Sequence, residues 1–199
     1  MCGMKKGLTE IIFILDRSGS MAGLEKDTIG GFNAFVEKQM EQEGEVRITA
    51  VLFDNYYELL WNAVRAEEAK LTEKEYFVRG STALYDAVGK TILDISSRID
   101  YTTESERPEK VIFVIITDGM ENSSREFTHN KIKQLIHHYQ HKHNWDFLFF
   151  GANIDAAAEA DHIGINPCSA FNFEATCDGV KAMYVKVSEA VSEKRNEDM

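Results

Sequence analysis

Two short, almost purely apolar runs constrain this chain most: "LTEIIFIL" at residues 8–15 and "KVIFVIIT" at residues 110–117. β-Branched and aromatic residues dominate both runs. Such a run predicts a strand that is buried on both faces, as in parallel sheets covered by helices. Asp16 directly follows the first run and Asp118 the second, so each predicted strand ends at a carboxylate.

Helical and strand patterns alternate along the rest of the chain. Apolar residues at three- and four-residue spacing predict a first helix over about 21–43. Further helices are predicted over 83–100, 126–143, 156–162 and 180–193, and further strands over 46–53, 145–153 and 169–173. Gly30-Gly31 in the first helix costs roughly 1 kcal/mol per glycine, and we expect close packing on the sheet to be the reason. The alternation predicts a three-layer α/β domain with a mainly parallel sheet.

One segment departs from the parallel pattern. "DNYYELLWNAV" at residues 54–64 follows the strand 46–53 after a very short turn. So short a connection joins only antiparallel strands, and we expect a hairpin partner at the sheet edge. Tyr56, Tyr57 and Trp61 are interpreted as edge-strand packing, with a partner surface as the alternative.

Composition limits the class of protein. The 199 residues suit a single domain over 1–199, with a core over about 8–194 and short frayed termini. The net charge of −11 argues against nonspecific nucleic-acid binding, and neither a membrane-length apolar run nor a signal peptide is visible. The cysteines Cys2, Cys168 and Cys177 favour reduced thiols and a cytoplasmic location.

Three polar segments are expected at one edge of the sheet, since ligands of parallel sheets bind beyond the strands' carboxyl ends. They are "DRSGS" after the first strand, "RGST" before the helix 83–100, and "TDGMENSS" after the strand 110–117. Asp16 and Asp118 would repel each other unless a cation or proton lay between them. Oxygen ligands without cysteine or histidine favour Mg²⁺, Mn²⁺ or Ca²⁺, and Thr82 is a further candidate. The alternative is that these residues serve as helix caps and turns.

"DRSGS", "GSTAL" and "TDG", in this order, resemble the von Willebrand factor type A domain and its metal-ion-dependent adhesion site. The resemblance implies a six-stranded sheet of order 3-2-1-4-5-6 with strand 3 antiparallel. It also implies five metal-binding residues: Asp16, Ser18, Ser20, Thr82 and Asp118. Gly19, Gly119 and Glu121 correspond to a partner-binding rim. The implied function is non-catalytic protein binding, in which Mg²⁺ (or Mn²⁺ or Ca²⁺) binds an acidic side chain of a partner, as an accessory or regulatory part of a larger assembly.

Other functions stay open at this stage. A Mg²⁺-dependent phosphatase would also place an aspartate after its first strand; it needs a second acid where Ser18 stands and a basic residue, for which Arg17 and Arg79 are candidates. A third possibility is the same scaffold with a vestigial, metal-free site. "VGKT" at residues 88–91 lacks the first glycine of a phosphate-binding loop. The histidines of "IHHYQHKH" are interpreted as a solvated helix end.

Overall fold

A computed structural model describes residues 5–197, with only the backbone described for residues 5 and 6. Cys2 lies outside the described residues. Cys168 and Cys177 are both free and exposed, in agreement with the reduced thiols expected for these two. Within the described part of the chain, no helix combines the length and apolar character that crossing a membrane requires.

The described residues form six strands and five α-helices, which alternate along the chain except where β3 directly follows β2. The strands are β1 Lys5–Asp16, β2 Glu45–Phe53, β3 Tyr57–Arg65, β4 Pro108–Thr117, β5 Asp146–Ala152 and β6 Ala170–Phe173. The helices are α1 Glu25–Met40, α2 Leu84–Tyr101, α3 His129–His143, α4 Ala156–Ile163 and α5 Cys177–Asn196.

The six strands form one sheet of order β3-β2-β1-β4-β5-β6, as the resemblance implies. β1 pairs in parallel with β2 on one side and with β4 on the other. Leu15 lies opposite Ile116, so the two apolar runs end side by side. β3 is the antiparallel partner of β2 at the edge, as the short turn predicts.

Helices cover both faces of the sheet and bury two apolar layers. α1 and α5 pack on one face, where Phe13 meets Phe32 and Phe35 edge-to-face with ring centroids 5.0 Å apart. α2, α3 and α4 pack on the other face, against residues such as Ile12 and Ile14. Alternate residues of β1 from Leu8 to Leu15 thus face different layers while all of them are buried, which explains the continuous apolar run.

Several predicted boundaries were wrong by two to four residues, and three of them have a clear local reason. α1 begins at Glu25 instead of about residue 21, because residues 19–21 form a 3₁₀ turn and Gly23 has a positive φ of 89°. α3 begins at His129, where the Thr128 side chain caps its first turn. α5 continues to Asn196 instead of fraying from about residue 194: Arg195 Nη1 donates to the Gln39 carbonyl at 2.9 Å. Asp198 and Met199 lie outside the described residues.

The two neighbouring glycines of α1 differ in their surroundings. A Cβ on Gly31 would lie 2.2 Å from the ring of Tyr184 on α5, while a Cβ on Gly30 would meet nothing within 4 Å. The close packing expected at Gly30-Gly31 therefore concerns Gly31 alone, and its partner is α5 instead of the sheet.

This difference predicts opposite effects for matched substitutions in one helix. Gly30→Ala should raise the free energy of unfolding by up to about 1 kcal/mol, since alanine favours the helix and meets open space. Gly31→Ala should lower it by about 1–3 kcal/mol, since the methyl group overlaps the Tyr184 ring. Urea unfolding measures both, and equal shifts in the two variants would contradict the packing of α1 on α5.

Candidate metal centre

Three loops meet at the edge where the parallel strands end. Loop 1 comprises residues 17–24 after β1, loop 2 residues 76–83 before α2, and loop 3 residues 118–128 after β4. The N–H of Gly19 in loop 1 donates to the carbonyl of Gly80 in loop 2 at 3.1 Å. The three polar segments of the sequence thus lie at one edge, as expected.

The structure brings four of the five predicted ligands together through a chain of hydroxyl contacts, and the fifth, Asp16, accepts the backbone N–H of Ser18. Thr82 Oγ1 donates to Ser18 Oγ at 3.1 Å, and Ser18 Oγ lies 3.1 Å from Ser20 Oγ. Ser20 Oγ in turn donates to Asp118 Oδ1 at 2.6 Å. Ser18 and Thr82 are buried while Ser20 is exposed, so the group opens to solvent on one side.

Asp16 lies beneath this group and is held from three directions. Its Oδ1 accepts the Ser18 N–H and its Oδ2 accepts the Thr117 hydroxyl, both at 2.7 Å, while the Tyr76 hydroxyl donates to its carbonyl at 2.6 Å. Burial raises the pKa of Asp16 from 3.8 to about 6, and the nearby charge of Asp118 adds to the increase. The bonds from Ser18 and Thr117 offset part of it. The hydrogen bonds hold the Asp16 carboxylate in place, but burial makes its charged form unfavourable.

Asp118 carries the unsatisfied atom of the group. It is buried, and burial raises its pKa above the ordinary value, with the bond from Ser20 opposing the shift. Its Oδ2 is buried and receives no hydrogen bond from any residue that the structure describes, although a buried carboxylate oxygen normally has a partner. A divalent cation among the hydroxyls would supply the missing partner and offset both negative charges. The donor set of two carboxylates and three hydroxyls therefore fits a hard cation.

Glu121 of the predicted rim is bound within the chain. Its oxygens accept the N–H groups of Tyr85 (2.9 Å) and Ser123 (2.8 Å), which ties loop 3 to the first turn of α2. The N–H of Asn122 and that of Ser123 also donate to the Thr82 carbonyl, at 3.0 and 3.1 Å. Glu121 thus shapes the loop that holds Thr82.

The two rim glycines lie directly beside the ligands. A Cβ on Gly119 would come within 3.6 Å of both Ser20 Oγ and Thr82 Oγ1. A Cβ on Gly19 would lie 3.4 Å from the Gly80 carbonyl. The absence of a side chain at Gly119 leaves room over the hydroxyl group.

The other candidate sites in the sequence have structural explanations: the histidines at the end of α3 are exposed, as expected for a solvated helix end, and "VGKT" belongs to the packing of α2. Within residues 5–197, no group of three or more His, Cys, Asp or Glu side chains is placed to hold a metal; the candidate centre has two carboxylates and otherwise hydroxyls. His137 and His141 have ring centroids 4.2 Å apart on α3. "VGKT" lies inside α2, where a Cβ on Gly89 would collide with Phe127 at 2.4 Å.

Sequence reasoning missed a buried charge cluster behind loops 1 and 2. Asp54, at the end of β2, is buried, and its Oδ2 accepts Nε of Arg17 at 3.1 Å and Nε of Arg79 at 2.7 Å. Its Oδ1 accepts the Tyr56 N–H at 2.7 Å. Arg17 is fully buried and also pairs with Glu58, with Nη2 and Oε2 2.6 Å apart but without hydrogen-bond geometry. One carboxylate therefore anchors the residues that flank Ser18 and Gly80.

Tyr76 and Thr117 were missed as well. The only signal for Thr117 is a hydroxyl at the end of an otherwise apolar run, beside Asp118. Tyr76 lies 60 positions from Asp16 along the chain, and no pattern in the sequence connects the two residues.

The charge cluster predicts a large loss of stability on substitution of Asp54. Asp54→Ala should lower the free energy of unfolding by about 3–5 kcal/mol, because Arg17 would remain buried without its main partner. Glu58→Ala removes the other partner, whose side chain is 47% exposed, and should cost about 1 kcal/mol or less. Similar losses for the two variants in urea unfolding would contradict an anchoring role of Asp54.

The raised pKa of Asp16 predicts a pH-dependent stability of the metal-free protein. Between about pH 4 and 6 the folded state binds this proton more tightly than the unfolded chain does. The protonated Asp16 therefore contributes to the free energy of unfolding near pH 4. This contribution, up to about 3 kcal/mol, is lost as the pH rises to 7.5.

Asp16→Asn isolates this effect. The amide can donate to Thr117, whose hydroxyl lies 3.1 Å from the Gly119 carbonyl and can turn toward it. In EDTA, the variant should be more stable than wild type at pH 7.5 and close to it at pH 4, by urea unfolding. A difference in free energy of unfolding between variant and wild type that stays constant from pH 4 to 7.5 would contradict the raised pKa. Taking this difference at each pH cancels the contribution of the other titrating groups, which both proteins share.

Comparison with models of protein families finds no match, and comparison with curated protein sequences finds none either. Solved structures do match. Proximal thread matrix protein 1 of the mussel byssus, in a structure with a zinc-occupied metal-ion-dependent adhesion site, matches with a TM-score of 0.64 at 13% identity, over 96% of this chain and 46% of that one. This chain thus spans somewhat less than half the length of the mussel protein.

Two microbial structures match similarly. The vWF domain of the type V pili tip protein Mfa5 from Porphyromonas gingivalis has a TM-score of 0.65 at 12% identity, over 96% of this chain and 97% of that one. The ArnB paralog VWA2 from Sulfolobus acidocaldarius has a TM-score of 0.58 at 17% identity, over 92% and 45%. At these identities the likeness concerns the fold. The sheet order, the antiparallel strand and the matched structures together show that this chain has the fold of von Willebrand factor type A domains.

Proposed function

We propose that the chain is a non-catalytic protein-interaction module whose binding depends on a divalent cation at Asp16, Ser18, Ser20, Thr82 and Asp118. The carrying observation is Asp118 Oδ2, a buried carboxylate oxygen without a hydrogen-bond partner among the described residues, on a side chain whose other oxygen accepts the Ser20 hydroxyl. Mg²⁺ is the proposed ion, with Mn²⁺ or Ca²⁺ as alternatives, since all the donors are oxygens. A bound cation would supply an electrophilic centre for an acidic side chain of the partner.

The arrangement of the chain's own groups supports this role. The hydroxyls of Ser18, Ser20 and Thr82 are neutral, so they would leave the charge of a cation incompletely neutralised. Exposed Ser20 and the missing side chain at Gly119 keep one side open to a ligand. The fold is shared with a pilus tip domain and with a byssus protein that has a zinc-occupied adhesion site, which favours protein binding.

The phosphatase alternative has less support. Ser18 stands where the general acid is needed, and its hydroxyl is bound to neighbouring hydroxyls. Arg17, a candidate for stabilising a phosphoryl group, is fully buried against Asp54. Arg79 has its Nε on the same carboxylate. We therefore propose binding without catalysis, in the cytoplasm, as an accessory or regulatory part of a larger assembly; the free, exposed Cys168 and Cys177 favour that compartment.

Calorimetric titration with Mg²⁺ and Mn²⁺ tests the metal site. Wild type should bind and should gain thermal stability, since a ligand of the folded state stabilises it by mass action. The double variant Asp16→Ala/Ser18→Ala should give no binding heat. Asp100→Asn, an exposed aspartate near the far end of α2, is the matched control and should bind like wild type.

Equal behaviour of wild type and the double variant would show a vestigial site and overturn the proposal. A pull-down with and without a chelator then tests the interaction, with proteins retained only when metal is present as the expected result. Mg²⁺-dependent hydrolysis of a phosphomonoester, abolished in Asp16→Asn, would favour the phosphatase instead.

A further inference from the structure

Beside the candidate metal centre, three exposed side chains form a patch that the metal site does not use. We call Tyr56, Phe77 and Arg79 the aromatic–arginine patch. Tyr56 is 65% exposed and Phe77 43%, and the side chain of Arg79 is 45% exposed. Exposed aromatic residues grouped with an arginine are typical of the central residues of protein interfaces.

The Arg79 guanidinium is held in place from inside the protein. Its Nε donates to the buried Asp54 at 2.7 Å, and its Cζ lies 5.3 Å from the Phe77 ring centroid and 5.8 Å from that of Tyr56. Asp54 and the half-exposed Glu58 both favour its charged form, which raises its pKa. The only hydrogen bond that the described residues accept from this side chain is the one from Nε. The two terminal nitrogens are therefore available to a carboxylate. Because the guanidinium is already held in one position, binding would cost little additional side-chain entropy.

The patch adjoins the metal ligands through the backbone. The Arg79 N–H donates to the Arg17 carbonyl at 2.9 Å, and the next residue, Gly80, accepts the Gly19 N–H. Arg79 and Thr82 are three positions apart, so their Cα atoms lie at most about 11 Å from each other. An extended peptide covers this distance in about three residues, so one short segment can reach both sites.

We propose that the patch binds a second acidic side chain of the partner segment whose first acidic side chain binds the metal. The occupant is an extended acidic peptide segment: its second carboxylate pairs with the terminal nitrogens of Arg79, and an apolar side chain beside it packs on Tyr56 and Phe77. Charge complementarity supports this choice locally, because the side chain of Arg79 is half-exposed, its terminal nitrogens are donors without an acceptor among the described residues, and a carboxylate matches their geometry. The inference rests on the proposed metal-dependent function and specifies its partner.

A random-peptide library displayed on phage is the probe, selected on wild-type protein with Mg²⁺. Selected peptides should carry two acidic positions within about four residues, with an apolar residue close to the second. A synthetic peptide of the leading sequence then gives affinities by fluorescence anisotropy. Replacing its second acidic residue by alanine should weaken binding to wild type by about 10-fold or more, as for charge-assisted hydrogen bonds.

A double-mutant cycle tests the pairing. On Arg79→Gln, the same alanine replacement should have little effect. Arg65→Gln, an exposed arginine at the opposite end of β3, is the matched control and should keep the full effect. Tyr56→Ser should weaken binding of the parent peptide by about 3-fold or more. Arg79→Gln could also weaken Mg²⁺ binding by disturbing Asp54, and Tyr56→Ser then provides the test of the patch. Its side chain makes no hydrogen bond to Asp54, which accepts the backbone N–H of Tyr56 instead.

The outcomes separate the two proposals. Selection of a single acidic position, or an alanine effect equally large on Arg79→Gln, would overturn the patch while leaving metal-dependent binding intact. Peptide binding that persists in EDTA would overturn the metal-dependent function instead. Selected peptides without acidic residues would overturn both.

Discussion

The burial of two carboxylates at adjacent strand ends is the constraint on which the candidate centre depends. β1 and β4 are neighbours in the sheet, so Asp16 and Asp118 end side by side. Burial raises the pKa of both, which means that the folded chain holds two charges that its own interior disfavours. Hydroxyls and backbone N–H groups recover part of this cost, but Asp118 Oδ2 has no partner among the described residues. The local energetics therefore favour any cation that the hydroxyls can accommodate.

The loops around these carboxylates are fixed by a second set of buried polar contacts. Asp54 holds Arg17 and Arg79, one from each side of the contact between loops 1 and 2. Glu121 holds loop 3 against α2. Because these contacts are internal, the hydroxyls of Ser18 and Thr82 are positioned before any ligand arrives, which lowers the entropic cost of binding.

The sequence allowed prediction of the elements and of the five candidate ligands, since apolar runs and helical periodicity are local signals, two of the three motifs directly follow strand ends, and the third lies just before a helix. The strand order came from the family resemblance. Asp54 and Tyr76 could not be predicted as supports of the centre. Their roles depend on which loops touch in space, and a carboxylate after β2 or a tyrosine in a polar segment has many possible partners. Predicted helix ends were wrong where a turn or a tertiary contact sets them. The 3₁₀ turn delays the start of α1, and the bond from Arg195 to Gln39 of α1 extends α5.

The same buried charge cluster bears on both function and specificity. In a phosphatase, Arg17 or Arg79 would have to face the reacting phosphoryl group, yet both direct Nε at Asp54. Arg17 is fully buried, so its charge compensates that of Asp54 inside the protein. Arg79 differs because its side chain is 45% exposed and its terminal nitrogens have no acceptor among the described residues. Two arginines anchored on one carboxylate thus have separate consequences: the buried one fixes loop 1, and the exposed one holds a positive charge beside the candidate centre, where the proposed acidic partner would contact it.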